Sequence, residues 1–92
     1  MKKFYIYKIT NILNNKIYIG KREHKNPQKD KYMGSGILIK AAIKKYGISN
    51  FRKEILYIVN SREEVNELEK QIVNEKFVNR DDTYNIRYGG DG

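Results

Sequence analysis

Cysteine and tryptophan are absent from the sequence, and proline and histidine occur once each. Without cysteine, neither a disulfide framework nor a thiolate zinc site can stabilise the domain, and a lone histidine disfavours a metal site built on imidazoles. No apolar run approaches the roughly 18 residues that a membrane helix needs, and the first residues show no secretory signal. We therefore expect one small soluble domain over residues 1–92, located in the cytoplasm and stabilised by its core alone.

Acidic residues are also scarce: 11 Asp and Glu stand against 19 Lys and Arg, which gives a net charge of +8. Such an excess raises the local concentration of any polyanion, and nucleic acid is the leading candidate partner. An ordinary solvated basic surface is the alternative. An anionic membrane surface is disfavoured, because no helix pairs a basic face with exposed Trp or Phe.

Aromatic and β-branched residues are abundant and mark two strands near the N-terminus, over residues 4–9 and 16–19. Asparagines between them are typical of a hairpin loop, and a loop of this length would place Tyr7 and Tyr18 side by side. Residues 21–31 are polar and show no periodicity, which indicates a surface loop.

The rest of the chain alternates between helical and strand patterns. Helical spacing predicts a helix over residues 37–46, and alternation predicts a third strand over 51–59. Simple alternation places four residues of that strand on one face: Phe51, Ile55, Tyr57 and Val59. Ser61 and Glu64 form a capping box that opens a longer helix through about Phe77. The whole pattern is that of an α+β domain.

Tyrosine is the commonest aromatic residue, with eight copies, and two of them lie in the predicted hairpin beside the basic loop. A phenol with a pKa of about 10 is a poor base, but nearby positive charge favours its ionised form. Tyr7 and Tyr18 are therefore candidate catalytic groups. The alternative is structural, because strand tyrosines commonly pack with their hydroxyl groups in water.

Glu69 lies within the apolar stripe of the last predicted helix, one turn from Val65 and from Val73. A carboxylate on the buried side of a helix requires a cation or a hydrogen-bond partner. It suits Mg²⁺, which takes one or two protein oxygens and keeps several waters. An ion pair with Lys or Arg is the alternative.

Tyr5-Ile6-Tyr7, followed after ten residues by Tyr18-Ile19-Gly20, resembles the signature of the GIY-YIG nuclease superfamily, with Tyr5 in place of the first glycine. The resemblance continues through later segments at 32–36, 42–47, 50–51, 67–69 and 84–86. It covers nearly the whole chain and is greatest with the catalytic domains of phage and intron homing endonucleases.

This resemblance implies a three-stranded antiparallel sheet flanked by helices and cleavage of double-stranded DNA with one divalent ion, Mg²⁺ or Mn²⁺. It also implies a monomer that acts in a bacterial or phage-infected cell. The glycine-rich end, 87–92, is expected to begin a linker toward a sequence-reading domain. Restriction and repair nucleases share the pattern, and a basic DNA-binding module that has lost catalysis is a further alternative.

The resemblance assigns roles to single residues. Tyr7 corresponds to the general base for the attacking water, and Tyr18 to a tyrosine that shapes or assists the site. Glu69 corresponds to the metal ligand. Asn85 matches an asparagine near the site with a structural role.

Basic residues after the second predicted strand are candidates for phosphate binding, because an Arg guanidinium clamps phosphate with a planar fork. The family arginine normally stands on a helix after the second motif strand, but that segment is shortened here and lacks the helix. Arg22 is therefore its expected substitute and His24 the loop histidine, with a solvated histidine as the alternative. Ser35 precedes a predicted helix N-terminus, which attracts phosphate. The other expected DNA contacts are Lys21, Lys40 and Asn85.

Overall fold

The computed structural model describes residues 2–89, and its centre is a three-stranded antiparallel sheet in the order β2-β1-β3. The strands are β1 (Lys3–Asn11), β2 (Ile17–His24) and β3 (Phe51–Val59). β2 continues to His24 because residues 21–24 pair with residues 3–6 of β1, so the first part of the loop predicted over 21–31 is strand. A short 3-10 helix, Pro27–Lys29, follows within the same segment.

Helices cover both faces of the sheet, as the α+β prediction requires. α1 (Ile37–Tyr46) packs against the face that carries Tyr5, Tyr7 and Ile9. α2 (Arg62–Ile72) and α3 (Glu75–Val78) pack against the opposite face. Within residues 2–89, no helix combines the length and the apolar character needed to cross a bilayer.

The last predicted helix is interrupted, so the expectation of one continuous helix to Phe77 is wrong. Its start is confirmed, because the Ser61 side chain accepts a hydrogen bond from the backbone N–H of Glu64. The helix ends at Ile72, and the Asn74 side chain then accepts a hydrogen bond of 2.9 Å from the backbone N–H of Phe77. An asparagine in this position caps a new helix at the expense of the old one.

A bulge in β3 changes which of its residues face which side. The register shifts between the pairs Tyr7 with Ile55 and Ile6 with Tyr57, which leaves Leu56 as the extra residue. Ile55 therefore packs with the α1 core, whereas Val59 packs with the α2 core. The prediction that Phe51, Ile55, Tyr57 and Val59 share one face is wrong, because an extra residue reverses the alternation beyond it.

The C-terminal segment runs along the free edge of β2. Thr83 forms an isolated parallel bridge with Ile17, and the backbone N–H of Tyr84 donates to the Ile17 carbonyl at 2.8 Å. Farther on, the backbone N–H of Gly89 donates to the Val73 carbonyl at 2.7 Å. Of the linker that the sequence places at 87–92, residues 90–92 lie outside the described part of the chain.

Candidate active site

The two motif tyrosines meet on the α1 face of the sheet. Tyr7 lies opposite Gly20 in the β1–β2 register, and Tyr18 is its diagonal neighbour, with ring centroids 6.3 Å apart. A Cβ atom added to Gly20 would collide with the Tyr7 hydroxyl group and ring. The glycine of the second motif thus makes room for the first tyrosine, whose side chain is only 2% exposed.

The two phenol rings line a cavity of about 430 Å³ at the β2 edge of the sheet. Its other walls come from the segment before α1, from α2 and from the C-terminal segment. The polar and charged lining residues are Tyr7, Tyr18, Lys21, Tyr32, Ser35, Glu69, Tyr84, Asn85, Arg87 and Tyr88. The helix-borne carboxylate therefore reaches the same hollow as both tyrosines.

Glu69 has a cationic neighbour in this cavity, as the ion-pair alternative requires. Its side chain is 13% exposed, and Lys21 Nζ lies 3.6 Å from Glu69 Oε1. The same ammonium group donates to Asn66 Oδ1 at 2.5 Å. Lys21 is thereby held next to the carboxylate on the floor of the cavity.

The side chains of the cavity suit a hard cation that keeps most of its water, rather than a metal ion surrounded by protein ligands. Among residues 2–89, no group of three or more His, Cys, Asp and Glu side chains could hold a metal ion. A single carboxylate such as Glu69 suits Mg²⁺, which keeps most of its water, whereas zinc needs three or four protein ligands. The residues present therefore fit the metal that the sequence resemblance implies.

Both phenols are neutral in this environment at neutral pH. Burial raises the pKa of Tyr7 far above its usual value near 10, and Tyr18, Tyr32 and Glu69 raise it further. Burial also raises the pKa of Tyr18, although the Gly36 N–H and the Tyr7 hydroxyl donate to its oxygen and oppose the shift. Lys53 Nζ lies 5.1 Å from the centroid of the Tyr7 ring, yet burial keeps the pKa of Tyr7 raised, so further positive charge in the cavity would favour its ionisation.

Comparison with known families decides what this arrangement is. A family model described as "Putative endonuclease segE, GIY-YIG domain" matches residues 2–88. The chain belongs to the GIY-YIG family.

Several phage proteins share this GIY-YIG domain. "Putative endonuclease segD" of Enterobacteria phage T4 is 57% identical over 90 residues, covering 98% of this chain and 40% of the relative. "Endonuclease segA" of the same phage is 42% identical over 92 residues, covering 99% of this chain and 41% of the relative. The chain thus spans about two fifths of the length of these relatives. No solved structure matches it.

Arg22 supports the wall of the GIY-YIG cavity but is not among the residues that line it. Its guanidinium stacks 3.9 Å from the centroid of the Tyr32 ring, and its Nε lies 3.0 Å from Asp30 Oδ2. Tyr32 in turn meets Tyr7 edge-on, with centroids 6.2 Å apart. Arg87, which sequence reasoning missed, lines the cavity directly and is exposed.

Two further sequence candidates lie away from the cavity. His24 is the last residue of β2, and its Nδ1 accepts a hydrogen bond of 2.9 Å from the backbone N–H of Asn26. Lys40 is exposed on α1 and does not line the cavity. By contrast, Lys21 and Ser35 are lining residues. The geometry therefore brings together Tyr7, Tyr18, Glu69, Lys21, Ser35 and Asn85, but not Arg22, His24 or Lys40.

Tyr5, in the position of the first signature glycine, anchors the segment that precedes α1. Its hydroxyl donates to Asp30 Oδ2 at 2.6 Å and accepts from Lys53 Nζ at 2.8 Å. Lys53 Nζ also donates to the carbonyls of Asp30 and Tyr32, at 3.0 and 2.7 Å. The signal that sequence reasoning missed was Asp30 itself, the only acidic residue between Glu23 and Glu54.

Asp30 is the centre of this network, and its carboxyl side chain is 6% exposed. Burial alone would raise its pKa, but hydrogen bonds from Tyr5, from the Tyr32 backbone and from Arg22 lower that pKa to about 2. The carboxylate stays ionised across the physiological range, so it continues to accept hydrogen bonds from Tyr5 and Arg22 there.

The side-chain amide of Asn85 hydrogen-bonds to the backbone of β2. Its Oδ1 accepts from the Ile19 N–H at 2.9 Å, and its Nδ2 donates to the Ile19 carbonyl at 2.7 Å. Ile19 stands between Tyr18 and Gly20, so the clamp fixes the strand that carries the second motif. This agrees with the structural role that the resemblance implies for Asn85.

Proposed function

We propose that this GIY-YIG domain is a metal-dependent endonuclease that hydrolyses phosphodiester bonds of double-stranded DNA. The observation that carries the proposal is the convergence of Tyr7, Tyr18 and Glu69 on one cavity, with Lys21 and Arg87 in its lining. Phosphodiester hydrolysis needs a proton acceptor, a site for a cation and positive charge for the phosphate, and these residues supply each part. The relatives named endonucleases support the same activity.

Tyr7 is the group placed to accept a proton from the attacking water. Burial raises the pKa of Tyr7, so its phenol keeps its proton at neutral pH. The Tyr7 hydroxyl group donates this proton in a hydrogen bond to the Tyr18 oxygen. A cation at Glu69 would add positive charge to the cavity, which favours the phenolate form. Tyr18 acts by holding the Tyr7 hydroxyl in place.

Glu69 would hold the single divalent ion, Mg²⁺ or Mn²⁺. Such an ion, when bound, acidifies water and offsets the charge that develops on the phosphate. Lys21, 3.6 Å from the Glu69 carboxylate, would then turn from that carboxylate to the phosphate. Ser35 and Arg87 line the same cavity and would complete the phosphate contacts.

Digestion of supercoiled plasmid DNA tests the proposal. We expect the purified chain to cut it with Mg²⁺ and to lose all cutting when a chelator is added, because one carboxylate holds the ion. Cutting that persists in chelator would remove the metal from the proposal. DNA binding without any cutting in Mg²⁺ would instead favour the non-catalytic DNA-binding module.

The same digest also bears on the biological class of the enzyme. We propose the catalytic domain of a homing endonuclease, supported by the order of its motifs and by phage relatives that are more than twice its length. Sequenced ends should then be scattered with slight preference, because phosphate contacts position a protein without selecting sequence. Ends that recur at one short site would favour a restriction enzyme.

Arg87→Ala is expected to lower kcat by about 10- to 100-fold, because a charged hydrogen bond to phosphate contributes about 1.5–3 kcal/mol. The melting temperature should stay unchanged, since Arg87 is exposed. Arg22→Ala should lower the melting temperature in addition to kcat, because the substitution removes the guanidinium group that pairs with Asp30. Arg52→Ala, an exposed change on β3, is the matched control. Equal kcat in the Arg87 and Arg52 variants would exclude Arg87 from phosphate binding.

A further inference from the structure

Charge is divided between the two faces of the sheet. No Asp or Glu occurs between residues 31 and 53, a stretch that includes α1, and α1 itself carries three basic residues: Lys40, Lys44 and Lys45. By contrast, α2 on the opposite face carries four acidic residues: Glu63, Glu64, Glu67 and Glu69. A polyanion is therefore attracted to the α1 side of the domain.

A groove of about 270 Å³ lies on this basic side, between the β1–β2 turn and α1. Ala41 and Ala42 leave its floor open, while Lys16 stands on the turn side and Lys45 on the helix side. Tyr84 lines both this groove and the catalytic cavity. The groove is thus a continuation of the active site along the α1 face.

The two lysines of the groove are available to a ligand. Both side chains are exposed, and neither is within ion-pair distance of a carboxylate in the described part of the chain. Their ammonium groups lie over aromatic rings, Lys16 at 5.9 Å from Tyr84 and Lys45 at 5.2 Å from Tyr46. The acid nearest in sequence to the groove, Asp82, is already paired with Arg80 at 2.6 Å.

We propose that this groove binds the DNA backbone phosphates next to the bond that is cut, with Lys16 and Lys45 as the contacting residues. The inference rests on the proposed nuclease function, because it takes the catalytic cavity as the site of the cleaved phosphate. The backbone then leaves the cavity past Tyr84, and its sugars pass over the alanine floor while both ammonium groups neutralise phosphates. Contacts of this kind position DNA without reading its sequence.

The test is the affinity of the chain for a fluorescently labelled duplex of about 25 base pairs, measured by fluorescence anisotropy in the presence of chelator. The measurement is repeated at several salt concentrations, because the logarithm of the binding constant falls with the logarithm of the salt concentration, with a slope of about −0.9 for each neutralised phosphate. The groove variant is Lys16→Gln with Lys45→Gln. The control is Lys70→Gln with Lys76→Gln, two exposed lysines of α2 and α3. Both variants lose the same net charge, so only the position of the charge differs.

We expect the groove variant to bind about tenfold more weakly than the control and its salt slope to fall by about 2. In Mg²⁺ its kcat at saturating DNA should match the control, while its KM rises. Equal affinity and slope in the two variants would overturn the proposal, as would a wild-type chain that does not bind the duplex. Binding that depends on these lysines without cutting in Mg²⁺ would keep the groove and overturn the nuclease function instead.

Discussion

Glu69→Gln is expected to lower the rate of DNA cutting by about 10³-fold or more, because charge stabilisation of this kind supplies several kcal/mol of transition-state energy. The amide keeps the size of the side chain but removes the negative charge that holds a cation. The variant should therefore also need far more Mg²⁺ for any residual activity. Both quantities come from cutting rates measured over a range of Mg²⁺ concentrations.

The stability of this variant should fall modestly. The pair with Lys21 is 3.6 Å long and largely buried, and Lys21 keeps its hydrogen bond to Asn66, so loss of the pair costs about 1–3 kcal/mol. Glu67→Gln is the matched control, since Glu67 is exposed on the same helix and its carboxylate accepts a hydrogen bond of 3.3 Å from the Gln71 side chain. If the Glu69→Gln and Glu67→Gln variants cut DNA at equal rates, Glu69 does not hold the metal ion.

Tyr7→Phe is expected to lower the cutting rate by about 10²- to 10⁴-fold, the usual contribution of a general base. The hydroxyl group is lost from a side chain that is 2% exposed, so the ring still fills its place over Gly20. The free energy of unfolding should fall by about 0.5–1.5 kcal/mol, because Tyr18 loses one hydrogen-bond donor. Tyr57→Phe, on the exposed surface of β3, is the control.

The pH profile gives a readout that a purely structural role of Tyr7 would not produce. Burial raises the pKa of Tyr7, so its phenolate fraction grows about tenfold per pH unit below that pKa. The wild-type rate should therefore rise steadily from pH 7 toward alkaline pH, and the residual rate of Tyr7→Phe should not. A flat wild-type profile would argue against proton acceptance by Tyr7.

Local signals in the sequence were sufficient for β1 and β3, for the start of β2, for α1 and for the start of α2. Ser61 with Glu64 predicted a cap that the structure shows, and Gly47 ends α1 with a φ of +89°. These predictions of elements succeeded because each depends on spacing within one element or on pairing across one hairpin. The convergence of Tyr7, Tyr18 and Glu69 joins three elements, and only the family resemblance implied it.

The errors in β3 and in the last helix share a cause: each element contains a local irregularity that its hydrophobic periodicity does not reveal. The bulge at Leu56 reverses the faces of β3 beyond it, and the unbroken apolar run over residues 55–59 gives no sign of the reversal. Asn74 interrupts a helix whose apolar spacing continues to Phe77. In this second case a signal existed, because asparagine is a preferred N-cap and a poor interior residue.

Arg87 and Tyr5 show what a single sequence leaves out. Arg87 enters the cavity because the C-terminal segment folds back along β2, a placement set by contacts such as Gly89 with Val73. Tyr5 finds Asp30 and Lys53 at separations of 25 and 48 residues. Long-range partners of this kind depend on the assembled tertiary structure, which hydrophobic patterning does not specify.

The clamp formed by Asn85 also bears on self-association. β2 is a border strand of the sheet, and unpaired peptide groups along such a border can template the addition of a strand from another copy. Here the outward hydrogen-bonding groups of Ile17 and Ile19 are already taken by Tyr84, Asp82 and Asn85. The segment that completes the catalytic cavity therefore also blocks strand addition along the Ile17–Ile19 part of this border.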